Sequence, residues 1–354
     1  MPNDDRANAP RAAAGGPEPE GRRLPTSHDV ALEAGVSQPT VSRALRGDPR
    51  VTDATRRRVL QAADRLGYVT SDRGRSLSTR RTSRIGVVVE DLDNPFYLEL
   101  LDVLHERLER ADVRMIVLTP QRNDPERVER LVDGSIDGAI LTTTHLDSPI
   151  PAQLRARRFP FVLLNRTVDD PAYASCAVDN RAGAIRLAEE TLRAGHRAIA
   201  AVFGPETTST GRDREAGIRA VLAGAGVPLP AERTRRGRFT FESGHRGCAE
   251  LLAARDRPTA VLCANDVVAF GAINAARGLG LAVPDDVSIT GFDDIAMAAW
   301  EVFRLTTVRQ DLRRMAETAV DLVLGLVDDP QGEPQQIVLP ADLVPRATLA
   351  PPGG

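Results

Sequence analysis

Residues 29–43 read Asp29-Val30-Ala31-Leu32-Glu33-Ala34-Gly35-Val36-Ser37-Gln38-Pro39-Thr40-Val41-Ser42-Arg43, and their reading decides the N-terminal fold. Val30, Ala31 and Ala34 form an apolar stripe at helical spacing, entered by Thr26 with Asp29 three residues on, a capping-box start. Gly35 breaks that helix. Ser37 suits the N-cap of a second one, with Val41, Ala44 and Leu45 on one face and Pro39 tolerated in its first turn. Thr52 caps a third, in which Val59, Ala62, Ala63 and Leu66 recur before Gly67 ends it. Two helices joined by a Gly-containing turn, with a third behind them, make the helix-turn-helix pattern. Gln38, Thr40, Ser42 and Arg43 face forward from the second helix. Arginine has the fork that reads O6 and N7 of guanine, and glutamine can read adenine. Thr26, Ser37 and Thr52 stand at helix N-termini, where N–H groups and hydroxyls suit phosphate oxygens. On pattern alone, a three-helix bundle whose caps only cap stands level with this reading.

Charge separates the chain into parts. The 354 residues carry a net charge of −3, yet Leu24 to Arg84 holds 12 arginines against 6 acidic residues, while residues 85–354 carry −9. All 46 basic residues are arginine. A basic module before an acidic body implies a polyanion partner for the first part only. Residues 1–23 are rich in Pro, Gly and Ala with no apolar core, which predicts a disordered tail, no secretory signal and a cytoplasmic chain. Residues 70–84 read as an Arg-rich linker whose one large apolar side chain is Leu77. No apolar run reaches the roughly 18 residues of a membrane span. Cys176, Cys248 and Cys263 are scattered, which predicts reduced core residues and neither a disulfide framework nor a metal site.

From Arg84 the texture becomes α/β. Short apolar runs at Ile85–Val89, Met115–Leu118, Gly138–Leu141, Pro160–Leu164, Ala198–Phe203, Ala260–Cys263 and Val287–Thr290 alternate with helical patterns near 96–110, 124–133, 181–194, 212–225, 243–254, 266–278 and 312–327. This alternation predicts parallel sheets in two lobes, with ligands at the carboxyl ends of the strands. A dinucleotide-binding glycine motif would have to follow the first strand, where Asp91-Leu92-Asp93-Asn94-Pro95-Phe96-Tyr97 stands instead. A Walker loop, a nucleophile elbow and an HExxH pair are also missing, and the five histidines lack metal spacing. The chain therefore reads as no enzyme, with no cofactor and no metal.

The string from Asp29 to Arg43 resembles the headpiece of the lactose-repressor/galactose-repressor (LacI-type) family of bacterial regulators. The likeness continues through Val51-Thr52, Thr55-Arg56, Leu66-Gly67-Tyr68 and Arg75-Ser76-Leu77. In the body it is carried by Asn94-Pro95-Phe96-Tyr97, Ile136-Asp137-Gly138, Gly195-His196-Arg197, Ala264-Asn265-Asp266 and Gly291-Phe292-Asp293-Asp294. The resemblance implies an all-α helix-turn-helix headpiece plus an α/β periplasmic-binding-protein-like core of two doubly wound parallel-sheet lobes. The implied boundaries are a headpiece at 24–69, a hinge helix or linker at 70–84, and a core at 85–354. Its N-lobe would take about 85–178 and 309–337, and its C-lobe about 179–308 and 338–350.

The resemblance also implies a repressor that binds pseudo-palindromic operator DNA as a homodimer. A small effector, a sugar or sugar derivative, would lie between the lobes. Leu77 would wedge into the minor groove at the operator centre. Gly74, in place of a better helix former, weakens such a hinge helix by roughly 1 kcal/mol relative to alanine. The expected DNA-contacting set is Thr26, Ser37, Gln38, Pro39, Thr40, Ser42, Arg43, Arg50, Thr52, Tyr68 and Leu77. The expected effector set is Phe96, Tyr97, Asn165, Arg214, Phe239, Asn265 and Asp293. Phe96 and Phe239 equally suit a core, and Asn265 and Asp293 equally suit helix caps. Arg214, at a helix N-terminus where its charge opposes the dipole, calls for an external acceptor. Thr208 stands where purine-responsive relatives have arginine.

Overall fold

The computed structural model describes residues 25–45, 47–68, 81–119 and 127–353, which divide into two compact units on either side of residues 79/80. The tail at 1–23, Leu77 and most of the expected hinge lie outside the described residues.

The first unit holds α1 (Ser27–Ala34), α2 (Gln38–Leu45) and α3 (Asp53–Leu66). The capping box forms as expected: Asp29 N donates to Thr26 Oγ1, and Thr26 N donates to Asp29 Oδ2. Gly35 ends α1 at φ 65°, a left-handed conformation that glycine takes without strain. Val30, Val41, Val59 and Ala62 are wholly buried between the three helices, and Tyr68 packs on the rim of this small core.

The second unit is α/β. Its first sheet contains β1 (Arg84–Val88), β2 (Arg114–Leu118), β3 (Gly138–Leu141), β4 (Phe161–Leu164), β5 (Ser175–Val178) and β11 (Gln336–Leu339). They lie in the order β11-β5-β4-β3-β1-β2, all parallel. The second sheet contains β6 (Ile199–Phe203), β7 (Thr234–Arg236), β8 (Ala260–Cys263) and β9 (Ser288–Thr290) in the parallel order β7-β6-β8-β9. Antiparallel β10 (Thr307–Gln310) and β12 (Ala341–Val344) complete the strands. Helices that matter below are α4 (Pro95–Arg110), α7 (Asn180–Arg193), α8 (Ser209–Gly224), α9 (Phe241–Leu252), α10 (Asp266–Gly278) and α11 (Leu312–Asp328). The intervening α5 (Arg127–Leu131) and α6 (Ile150–Ala156) are short.

β11 straddles the expected lobe boundary at 337/338. It pairs with β5 throughout, so the chain changes sheet only after Leu339. β5, β7, β10, β11, β12 and α6 carry no expectation from sequence. They run three to seven residues, and β7 (Thr-Arg-Arg) has no apolar alternation at all. All three cysteines are buried and free; burial pushes the Cys176 and Cys248 thiols up to about 12. No helix among the described residues is long and apolar enough to cross a membrane.

Candidate DNA-reading face and effector site

On α2, burying Val41 and Ala44 turns Ser37, Gln38, Pro39 and Arg43 to solvent, with Thr40 and Ser42 half-buried. Gln38 Nε2 donates to Ser27 Oγ at 2.9 Å, which fixes the amide across the α1–α2 junction. The Ser37 and Thr40 hydroxyls share a hydrogen bond of 2.8 Å. The Thr26 hydroxyl donates to Asp29 Oδ2, and the Thr52 hydroxyl donates to Thr55 Oγ1. Both hydroxyls thus serve their own helices, and an anion at these termini would meet first-turn N–H groups instead. Arg50 pairs with Asp48 at 2.8 Å, and its hydrogen bonds hold the Asp48 carboxyl far below the usual carboxylate range. Tyr68 is half-buried.

In the α/β unit, all seven expected effector residues line one small pocket, together with Asn94, Arg166 and Thr210. The topology explains the convergence. Phe96 and Tyr97 follow β1, Asn165 follows β4, Arg214 follows β6, Phe239 follows β7, Asn265 follows β8 and Asp293 follows β9. All are carboxyl ends, and both sheets reverse strand order at β1/β3 and β6/β8. The pocket holds only about 20 Å³. Beyond Arg166 and Phe239 it gives onto a cleft of about 780 Å³, lined also by Glu90, Asp91, Asp93, His145, Thr207 and Arg236. The lobes touch across the opening: Leu146 N donates to Thr207 O, Thr167 N donates to Ser209 Oγ (both 2.9 Å), and Arg212 pairs with Asp169.

The individual side chains settle several alternatives. Phe96 is 2% exposed, belongs to the main core and meets Tyr97 edge-on at 5.2 Å. Phe239 is half-buried and packs at the cleft, apart from the core clusters. Asn265 caps α10, accepting from Val268 N at 3.0 Å, while also lining the pocket. Asp293 caps nothing: the turn at Ala296–Ala299 starts from Ile295 without a side-chain bond. Its Oδ1 accepts from Arg214 Nη2 at 3.1 Å and from Gln310 Nε2 at 2.7 Å.

Arg214 lines the pocket but needs no acceptor outside the chain to satisfy its guanidinium. Its acceptors are internal: Nε donates to Asn180 Oδ1 (2.8 Å), Nη1 to Ala264 O (2.8 Å) and Nη2 to Asp293, while its guanidinium lies 3.7 Å from the Phe292 ring centre. These partners come from the head of α7 and from the ends of β8 and β9, far from Arg214 along the chain. Asn94, Arg166 and Thr210 had no expectation from sequence. Arg166 adjoins Asn165, and only the turn after β4 reveals that both line the pocket.

Behind the pocket Asp266 accepts from Thr307 Oγ1 at 2.5 Å and from Ile295 N at 3.0 Å. Burial, reinforced by Asp293, pushes its carboxyl up to about 8. The unfolded chain releases this proton near its ordinary value of 3.8, so stability should fall as pH rises from about 4 to about 8. Asp266→Asn should flatten that part of a melting-temperature profile. A variant with the full wild-type slope would place the titration elsewhere. Burial likewise pushes the Tyr97 phenol up to about 12 and raises the Asp293 carboxyl, against the pull of Arg214.

Comparison with known proteins gives consistent results. Residues 26–71 match the bacterial regulatory proteins of the lacI family, and residues 188–349 match the periplasmic binding protein-like domain. The HTH-type transcriptional regulator DegA of Bacillus subtilis (strain 168) is 32% identical over 333 residues, 92% of this chain and 98% of that protein. The lac repressor dimer bound to operator and the anti-inducer ONPF superposes with a TM-score of 0.84 at 28% identity, covering 93% of this chain and 100% of that one. The transcriptional regulator CelR–cellobiose complex gives 0.70 at 30% identity, covering 92% and 99%.

Proposed function

The chain belongs to the lacI family of bacterial regulatory proteins, and from that premise we propose that it is a cytoplasmic, sequence-specific transcriptional repressor switched by a small ligand between its lobes. The observation that carries the ligand reading is the convergence of seven side chains from the two sheets' carboxyl ends on one pocket. Aromatic faces beside paired amide, guanidinium and carboxylate groups suit a sugar or sugar derivative. A homodimer presents two α2 helices to two half-sites, because a symmetric protein matches a symmetric operator; the lac repressor relative is itself a dimer on operator. A ligand that favours one lobe arrangement changes operator affinity by its differential affinity for the two.

Arg43 carries the base reading, with Gln38 beside it and Leu77 at the operator centre. Arg43→Ala should lose roughly 1–3 kcal/mol at one guanine per half-site and little on unrelated duplex. Titrations against operators with single-base changes measure this; an equal loss on every sequence would reduce Arg43 to a phosphate contact.

A further inference from the structure

Arg166 follows β4 and is 3% exposed. Its Nη2 donates to Asp91 Oδ2 at 3.0 Å. Its guanidinium carbon lies 5.8 Å from the Tyr97 ring centre and 5.5 Å from that of Phe239, so it stands between an aromatic of each lobe. Its Nε is buried without a hydrogen-bond partner, and so is Oδ1 of the adjacent Asn165. Asn165 is held at φ 69°, with its Nδ2 turned to the Tyr97 hydroxyl at 3.4 Å. An unmatched buried donor beside an unmatched buried acceptor is costly, and a bound group that satisfies both relieves both.

The charges narrow the ligand further. Both arginines that line the small pocket already face a carboxylate, Arg166 with Asp91 and Arg214 with Asp293. Arg238 shares Asp91 at 3.4 Å, but its side chain is 74% exposed and screened by water. In the wider cleft Arg236 is held by Glu215 and Glu90 pairs with Arg127 at 2.6 Å, while Asp93 adds negative charge. A ligand carboxylate or phosphate would find each buried cation balanced and would lose its hydration without a counter-charge. The small pocket has room for about one water molecule. A ligand therefore occupies the adjoining cleft as well, whose wall Arg166 and Phe239 also form.

We propose that Arg166 is a specificity-determining residue of the effector site and that, with Asn165, it selects a neutral ligand bearing two adjacent hydroxyls. One hydroxyl accepts from Arg166 Nε–H and the other donates to Asn165 Oδ1. The ring between them lies against Phe239. This inference rests on the reading of the cleft as the effector site.

The test uses the full-length protein, with melting temperature and calorimetry as readouts. The probes are neutral cellobiose, glucose and ribose against charged glucuronate, glucose 6-phosphate and ribose 5-phosphate. The tightest binder should be neutral, with every charged probe at least about tenfold weaker. Arg166→Met should weaken that sugar at least about tenfold. Asp91→Asn, which leaves the Arg166 charge unbalanced, should move preference toward the charged probes while the chain stays folded by circular dichroism. A charged sugar as the tightest wild-type ligand, or unchanged affinity in Arg166→Met, overturns this proposal and leaves the sugar reading intact. If no probe of either kind raises the wild-type melting temperature, the sugar reading fails and this proposal falls with it.

Discussion

Arg214→Ala should destabilise the α/β unit by about 3–5 kcal/mol, the cost of removing one partner of a buried ion pair. The substitution strands the Asp293 carboxylate, which is 5% exposed, and removes the donors to Asn180 Oδ1 and Ala264 O. It also removes the cation over Phe292. Arg214 is thus a brace joining the starts of α7 and α8 to the ends of β8 and β9. Urea unfolding of the full chain, followed through the single tryptophan, Trp300, measures the loss. Arg214→Lys keeps the charge but not the fork, and should recover only part of it. A loss under about 1 kcal/mol in the alanine variant would mean that Asp293 is neutral in the wild-type fold and that the brace contributes little. Because ligand response and stability would fall together, a lost response in Arg214→Ala alone does not assign Arg214 to the ligand.

Gly244→Ala should be nearly as damaging for a different reason. A Cβ there would lie 1.9 Å from Val268 O, and one at Gly271 would lie 2.1 Å from Phe241 O. The backbones of α9 and α10 therefore touch at both crossings, and neither obstacle is a movable side-chain tip. Forcing the helices apart should cost about 3 kcal/mol or more, at the upper end of overpacking penalties. It should also shift Asn265 at the head of α10 and so blunt ligand binding. Gly278, at the far end of α10, meets nothing within 4 Å, so Gly278→Ala is the matched control and should leave the melting temperature unchanged or slightly higher. An unchanged melting temperature in Gly244→Ala would mean that the two helices do not pack this closely.

What the sequence reveals divides by the range of the physics. The headpiece is legible because its caps, its left-handed glycines and its apolar stripes are decided within a few residues of each position. The sheets of the α/β unit are legible where strands are buried and apolar, as at β3 and β8. They are not legible at β11, an edge strand whose Val338 is 66% exposed. The resemblance names the seven expected pocket residues, and their places after strand ends agree with it. It does not name their pairing. The acceptors of Arg214 lie 34, 50 and 79 residues away along the chain, and no local rule ties an arginine to such partners. Asn265 shows the two scales meeting in one side chain, a local cap that also forms part of a pocket wall.

On this reading α2 distinguishes one DNA sequence from another. Fluorescence anisotropy of the full-length protein, titrated against fragments of its own promoter region and against random duplex at physiological ionic strength, tests it most directly. A repressor of this kind should prefer one pseudo-palindromic fragment by about a thousandfold or more. Equal affinity for all fragments would contradict the account and leave a ligand-binding core with no address on DNA.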